Sequence, residues 1–267
     1  MDVMLIALIV AIIEGVTEFL PVSSTGHMII AGNLLGFTGS LADVFDIFIQ
    51  LGAILSVIFL YKEKFRRFFT SAGWRADKGL SAWHVLAGIV PVMGIAFFAH
   101  SAIKQYLFSP FTVAIGLFLG AFLLLYAEKK TENMEEYLLD DVDKITLRQA
   151  ALVGAFQILS LWPGFSRSGS TIGGGLLIGL TRRAAAEYSF IVAVPLMFAA
   201  CLYDLLKNIS ELSVGDLYVL ALGFVVSFAV AYLSIIWFIG FLNRSRLRNF
   251  AYYRIALAFI TLWYFYL

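Results

Sequence analysis

Long apolar runs, interrupted at two places by short polar turns, set the pattern of this chain. Apolar residues fill 3–20, and the run stops at Pro21 and the Ser23-Ser24-Thr25-Gly26 turn; a short arm, 27–36, closes at Gly36. Three longer apolar runs follow, near 43–61, 83–100 and 111–127. The plan then returns: 149–162 is apolar, Pro163 to Thr171 breaks it, 172–180 is a short glycine-rich arm, and long runs occupy 186–206, 216–241 and 250–267. Each long run reaches or approaches the roughly 20 residues a helix needs to cross about 30 Å of hydrocarbon, and no ten-residue alternation suggests a β-barrel. The two short arms cannot span. A helix, a polar break and a short helix predict a re-entrant hairpin, its irregular backbone buried in protein or lining a wet cavity.

Composition agrees with that class. Of 267 residues 61% are hydrophobic and 14% charged, and the mean hydropathy is +0.90, whereas soluble domains are about 25% charged. The single cysteine, Cys201, has no internal partner and reads as a small buried residue. A formal net charge of +1 gives no case for nucleic acid. Asp2 is the only early charge before Glu14 and Glu18 interrupt the first run, so this stretch reads as mature structure rather than a cleaved signal.

The breaks align. Setting Ser23-Ser24-Thr25-Gly26 over Ser166-Arg167-Ser168-Gly169 gives an offset of 143, which puts Glu14 over Gln157 and Ala7–Ala11 over Ala150–Gly154. This is a weak internal repeat. Basic residues then give orientation, because lysine and arginine favour the cytoplasmic side of short loops. Six lie in 62–81, four in 128–148, two in 181–185 and three in 243–249, against one each in 102–110 and 207–215. Three spans per half is an odd number, so the halves are inserted in opposite senses. The expected fold is an all-α polytopic membrane protein with an inverted-topology repeat, each half a re-entrant helix-loop-helix plus three transmembrane helices. It forms one membrane domain, with halves of about 1–127 and 148–267 joined by a charged, solvated cytoplasmic linker, 128–147. The hairpin tips then meet near the midplane.

Ionisable groups in the hairpins demand an explanation. An ionised residue at mid-membrane costs about 2.5–3.5 kcal/mol, so Glu14 and Glu18 unpaired would consume about 5–7, comparable with the stability of a domain. Four residues apart, they share one helix face, where two carboxylates can hold a divalent cation or share a proton. Arg167 is the natural counter-charge. Flanked by Ser166, Ser168, Gly169, Ser170 and Thr171, it offers forked donors and backbone N–H groups suited to phosphate, with a helix N-terminus behind it. In the first break Ser23, Ser24 and Thr25 accompany His27. Ser24 and His27, three apart, supply a hydroxyl and an imidazole for nucleophilic or acid–base chemistry. His84, at the end of an apolar span, reads as interfacial. Gly116 and Gly120 suit close helix packing, within one chain or in a homodimer.

The segments Glu14-Gly-Val-Thr-Glu18-Phe-Leu-Pro-Val-Ser-Ser-Thr-Gly-His27 and Pro163-Gly-Phe-Ser-Arg167-Ser-Gly resemble the two signature motifs of the undecaprenyl-diphosphate phosphatases of the bacitracin-resistance type. The likeness extends over nearly the whole chain, including Gln50-Leu51-Gly52 and Ala186-Glu187-Tyr188-Ser189-Phe190. It implies a multi-pass enzyme of the bacterial inner membrane that releases the terminal phosphate of undecaprenyl diphosphate, recycles the carrier of cell-wall precursors and confers bacitracin resistance. It implies dependence on a divalent cation, Mg²⁺ or Ca²⁺, and a site open to the periplasmic face. The family pattern puts the catalytic set at Glu14, Glu18, Ser24, Thr25, His27, Ser166 and Arg167. The mechanistic expectation is a cation on Glu14 and Glu18, phosphate held by Arg167 and Ser166, and attack by Ser24 with His27 as base, by His27 itself, or by water that His27 activates. The rival from another class is a lipid transporter or flippase, since paired broken helices are also a transporter design.

Overall fold

The structure, a computed structural model, describes residues 2–107, 109–208 and 216–266. Among these, helices account for all regular structure apart from one backbone bridge between Leu139 and Leu180. The first half contains α1 (Val3–Thr17), α2 (Ser24–Leu35), α3 (Ser40–Leu60), α4 (Lys62–Phe68), α5 (Ala82–Leu107) and α6 (Pro110–Thr131). The second contains α7 (Leu147–Gln157), α8 (Arg167–Leu177), α9 (Arg182–Asn208), α10 (Leu217–Leu242) and α11 (Arg248–Tyr266).

Five of these, α3, α5, α6, α9 and α10, are long and apolar enough to cross a membrane. This is an integral membrane protein. The sixth expected span, α11, has 19 residues, but Asn249, Arg254 and four tyrosines leave it less apolar than the other five. The outer loop expected at 207–215 lies, from 209 onward, outside the described residues.

Both short arms begin in the same way. Ser23 and Ser166 are the only non-glycine residues with positive φ among those described, at 71° and 73°, a conformation that L-residues adopt at a cost. Each turns the chain sharply and uses its hydroxyl to cap the helix that follows, accepting from the N–H of Gly26 at 3.4 Å and of Gly169 at 3.1 Å. The arms therefore start earlier than the apolar pattern suggests: Ser24–Gly26 and Arg167–Thr171 are the first turns of α2 and α8 rather than loop. Capping satisfies amide groups that would otherwise be orphaned at a buried helix start.

Packing crosses between the halves. The first arm α1 lies against α10 and the corresponding arm α7 lies against α5, while α3 packs on α9 and α6 on α11. Gly116 and Gly120 are used inside the chain. A Cβ at Gly116 would strike the backbone of the second hairpin turn, and one at Gly120 would strike the Arg254 guanidinium. Their spacing thus reflects close approach within one chain and gives no argument for a dimer.

The four lysine- and arginine-rich loops gather at one end. Lys64 reaches Asp143 at 2.7 Å, Arg182 holds Glu128 through Nε at 2.7 Å and Nη2 at 2.9 Å, and Arg248 reaches Glu132 at 3.2 Å. The charged segment from Glu128 onward, expected to be solvated, is so only in part: Glu128 and Thr131 in the last turns of α6, and Val142 and Ile145 after it, are buried, and Leu139 exchanges backbone hydrogen bonds with Gly179 and Thr181. His84, expected at an interface, is buried, its Nδ1 accepting from the N–H of Ser81 at 3.1 Å.

Candidate active site at the hairpin tips

The two hairpin turns meet. The Ser168 hydroxyl donates to the carbonyl of Leu20 at 2.7 Å, tying the second tip to the first. Around this junction lies a cavity of about 180 Å³. Glu18, Ser23, Ser24 and Thr25 line it from the first hairpin, Ser160, Trp162, Pro163, Gly164, Ser166 and Arg167 from the second, with Gln50 and Met197 completing the wall. A wider cavity of about 540 Å³ shares Ser24, Thr25 and Gln50 with it and extends past Glu14, Asp46 and Asp204 to the loop at 37–39.

Glu18 is the hub. Its Oε2 accepts from the Ser24 hydroxyl at 2.6 Å and its Oε1 from Arg167 Nη2 at 3.1 Å. Arg167 Nη1 donates to the Ser189 carbonyl at 3.1 Å and hydroxyl at 3.2 Å, and the guanidinium lies over the Phe19 ring, 5.5 Å from its centroid. Its Nε is buried without a partner in this structure. Arg167 itself lines the cavity, and a fixed guanidinium on a cavity wall is a ready anion contact. Glu14, one turn back on α1, is buried and lines the wider cavity, and its Oε1 also lacks a partner.

This donor set suits a small hard cation. Among the described residues no group of three carboxylate, histidine or cysteine side chains is gathered for one, but Mg²⁺ commonly takes one or two protein carboxylates and completes its shell with water and substrate phosphate. The unpartnered oxygen of Glu14, beside Glu18, fits that pattern.

The sequence-predicted residues divide into two groups. Ser23, Ser24, Thr25, Ser166, Arg167 and Glu18 line the inner cavity, and Glu14 the adjoining one. Ser168, Gly169, Ser170 and Thr171 do not. Ser168 is spent on Leu20, the Gly169 N–H on the Ser166 cap, and the hydroxyls of Ser170 and Thr171 on the Arg167 carbonyl at 2.9 and 2.8 Å. Nor does the structure bring Ser24 and His27 together, because the Ser24 proton is already directed at Glu18. The His27 ring turns to α11, with Nδ1 at 2.8 Å from the Ser23 carbonyl and Nε2 at 2.6 Å from the Tyr253 hydroxyl.

Sequence reasoning assigned no role to Ser189, Tyr253 or Arg254. Arg254 is fully buried. It donates from Nη2 to the carbonyls of Phe165 at 2.6 Å, Gly164 at 3.1 Å and Gly116 at 3.3 Å, and from Nη1 to Pro21 at 3.4 Å, so one guanidinium joins both hairpin turns to α6. The signal for it was present: an arginine inside an apolar run is a site residue by default. Tyr253 carried no such signal among the aromatic residues of α11.

Buried carboxylates, a fixed guanidinium and capped helix starts, gathered beside two adjoining cavities in a bundle of helices long and apolar enough to cross a membrane, define a polytopic membrane protein with a candidate site at its hairpin tips. Residues 7–260 match the family described as bacitracin resistance protein BacA. The chain belongs to that family. It is 46% identical over 261 residues to undecaprenyl-diphosphatase 1 of Bacillus thuringiensis (strain Al Hakam), covering 97% of each chain. It is 49% identical over 255 residues, 95% of each, to an undecaprenyl-diphosphatase of Solidesulfovibrio magneticus, and 48% identical over 259 residues, 97% of each, to one of Nitratidesulfovibrio vulgaris.

Proposed function

We propose that this chain hydrolyses undecaprenyl diphosphate to undecaprenyl phosphate and inorganic phosphate, as its relatives' names describe, and so recycles the cell-wall lipid carrier and confers bacitracin resistance. The observation that carries the reading is the contact of Glu18 with both Ser24 and Arg167. A hydroxyl whose proton is already directed at a carboxylate, on the same cavity wall as a fixed guanidinium, is a nucleophile facing an anion site.

In the mechanism we favour, Ser24 Oγ attacks the terminal phosphorus as its proton passes to Glu18 Oε2, and the bond to the bridging oxygen breaks in line. Arg167, with the Ser166 hydroxyl on the same wall, holds the phosphate and meets the charge that develops on the leaving oxygen. Water then hydrolyses the phosphoserine: its oxygen bonds to phosphorus as the bond to Ser24 Oγ breaks, Ser24 recovers its proton from Glu18, and the proton released by the water leaves with the phosphate. A divalent cation on Glu14 and Glu18, Mg²⁺ or Ca²⁺, would neutralise charge on the phosphate oxygens. An apolar groove of about 390 Å³ on the far face of the same turn, walled by Leu20, Val22, Trp237, Phe241 and Phe250, suits the isoprenoid chain.

The twin serine caps and the crossed packing of α1 on α10 and α7 on α5 support an inverted repeat with halves of about 1–127 and 148–267. The gathering of four basic loops at one end supports insertion with that end in the cytoplasm of a bacterial plasma membrane. The wider cavity runs toward the 37–39 loop between α2 and α3, at the outer end expected for the first hairpin, which supports a site open to the periplasmic face.

The test is phosphate release from an isoprenyl diphosphate by detergent-purified protein, with and without Mg²⁺ or Ca²⁺, beside Arg167→Ala. Cation-dependent release that the variant loses is the expected result. Absence of release from folded protein, with movement of lipid phosphate across vesicles, would establish a carrier instead.

A further inference from the structure

Arg167 is gripped on three sides, and α9 stands behind two of them. Its Nη2 donates to Glu18 Oε1 at 3.1 Å, and its Nη1 to the Ser189 carbonyl at 3.1 Å and hydroxyl at 3.2 Å. The Phe19 ring lies against the guanidinium face, and Phe190 meets that ring edge-on, 5.4 Å between centroids. Ser189 and Phe190 are fully buried. A guanidinium can only donate, so Ser189 Oγ accepts from it, and the acceptor left for the Ser189 proton is Thr171 Oγ1 at 2.7 Å. Thr171 in turn donates to the Arg167 carbonyl at 2.8 Å. Two hydroxyls thus close a ring of hydrogen bonds that runs from the guanidinium back to the backbone of the same residue.

We propose that Ser189 is a positioning residue for phosphoryl transfer, holding the Arg167 guanidinium on the cavity wall when Glu18 no longer can. In the empty site the Glu18 carboxylate and Ser189 share that task. As Ser24 attacks, its proton passes to Glu18 Oε2, and a neutral carboxyl holds a guanidinium more weakly than a carboxylate does. At the same moment charge develops on the leaving oxygen, and the guanidinium has to meet it without moving. The grip of Ser189 does not change across this step, because no member of its ring gains or loses a proton. Its contribution therefore falls on the transition state more than on the bound substrate. The stretch Ser189-Phe190 gains a physical role in this way: the serine fixes one edge of the guanidinium, and the phenylalanine braces the ring that covers its face.

This inference rests on the phosphatase reading, and its test separates the two. Kinetics of phosphate release from an isoprenyl diphosphate are compared for wild type, Ser189→Ala, Thr171→Val and the double variant, with thermal melting to verify folding. Ser189→Ala removes the hydroxyl and keeps the carbonyl; Thr171→Val keeps the shape of the side chain and opens the ring at its other hydroxyl. Each should lower kcat by about tenfold. KM should stay within about twofold, because ionised Glu18 still holds the guanidinium while substrate binds. The double variant should be no slower than the slower single one, since both substitutions break one ring. If Ser189→Ala does not fold, Thr171→Val carries the same kcat and KM prediction. Wild-type kcat in folded variants, a rise in KM with kcat unchanged, or losses that multiply in the double variant would each overturn the positioning role. An inactive wild type would instead remove the phosphatase reading, and the positioning role with it.

Discussion

Arg254 offers the most demanding test of how this site is held. Its guanidinium has no carboxylate partner among its hydrogen bonds: its two amino groups donate to carbonyls alone, from both hairpin turns and from α6, and its buried Nε has no partner. The bonds to Phe165 at 2.6 Å and Gly164 at 3.1 Å are short enough for charge-assisted bonds of about 1.5–3 kcal/mol each. Those to Gly116 at 3.3 Å and Pro21 at 3.4 Å are weaker. Against this gain stands the cost of keeping an ion out of water, several kcal/mol. Arg254→Met loses both the bonds and the ion, so its stability should fall by only about 1–3 kcal/mol rather than by the full sum of the bonds. Activity should fall further. The hairpin turns carry Glu18 and Ser24 on one side and Arg167 on the other, and a misplacement of about 1 Å costs about 100-fold in rate. Arg254→Lys separates the two effects, because an ammonium keeps the charge but cannot fork between two turns. It should melt close to wild type in detergent, followed by tryptophan fluorescence, yet lose about tenfold or more in kcat/KM for phosphate release. Wild-type kcat/KM in Arg254→Lys, or an activity loss in Arg254→Met no larger than its unfolded fraction, would refute the argument that this residue sets the register of the tips.

Three other outcomes follow from the same geometry. Ser24→Ala should lower phosphate release by at least about 10³-fold and abolish any trapped phosphoenzyme; a residual rate within about tenfold of wild type would put water in the attacking position. Ser170→Ala should leave kcat/KM within about twofold, because its hydroxyl is bonded to the Arg167 carbonyl and does not line the cavity, whereas Thr25→Val, on the wall of both cavities, should raise KM by about tenfold; equal effects would show that the cavity is not the phosphate site. At the cytoplasmic end partial burial pushes the Asp143 carboxyl upward, but the Lys64 ammonium and the Leu80 N–H outweigh it and hold the group below its ordinary range. A folded pKa below the unfolded one stabilises above the unfolded value, about pH 4, and that stability is lost as pH falls through the folded value. With the Asp143 side chain 42% exposed, the effect should be under about 1 kcal/mol, and Asp143→Asn should flatten the acid side of a melting-temperature profile below about pH 4; an unchanged profile would refute it.

Much of the fold and part of the site could be read from the residues alone, for a physical reason. Hydrocarbon tolerates few polar groups, so Glu14, Glu18 and Arg167 are conspicuous in apolar sequence, and the breaks at Pro21 and Pro163 locate the turns. What could not be read depends on where side chains point after the turns have formed. Ser24 and His27 have the spacing of a hydroxyl–imidazole pair, but the positive φ of Ser23 starts α2 at once, which turns Ser24 to Glu18 and His27 to α11. The serines after Arg167 look equivalent in sequence. Capping and packing assign Ser166 to the cavity wall and Ser168 to the first hairpin. The Gly116 and Gly120 pair shows the same limit: small residues announce a close approach without saying what approaches.

The bonds that tie the halves together also bear on the choice between enzyme and carrier. Alternating access in an inverted-repeat transporter proceeds by one half rocking against the other around the bound ligand. In this chain such a motion would act on three sets of bonds at three depths. At the hairpin tips it would strain Ser168 against Leu20 and Arg254 against Pro21 and Gly116. Within the site it would part Arg167 from Glu18. At the basic end it would open the buried pair of Arg182 with Glu128, which also accepts from the N–H of Leu247 at 2.9 Å. Breaking a buried ion pair by itself costs about 3–5 kcal/mol, and the carbonyl bonds of Arg254 add to that. A ligand can drive such a change only by binding the rearranged state correspondingly more tightly. A phosphatase needs no such motion. Its substrate has only to bring a head group to tips that are already assembled, and the same bonds that oppose rocking then hold Ser24 and Arg167 in register for the reaction.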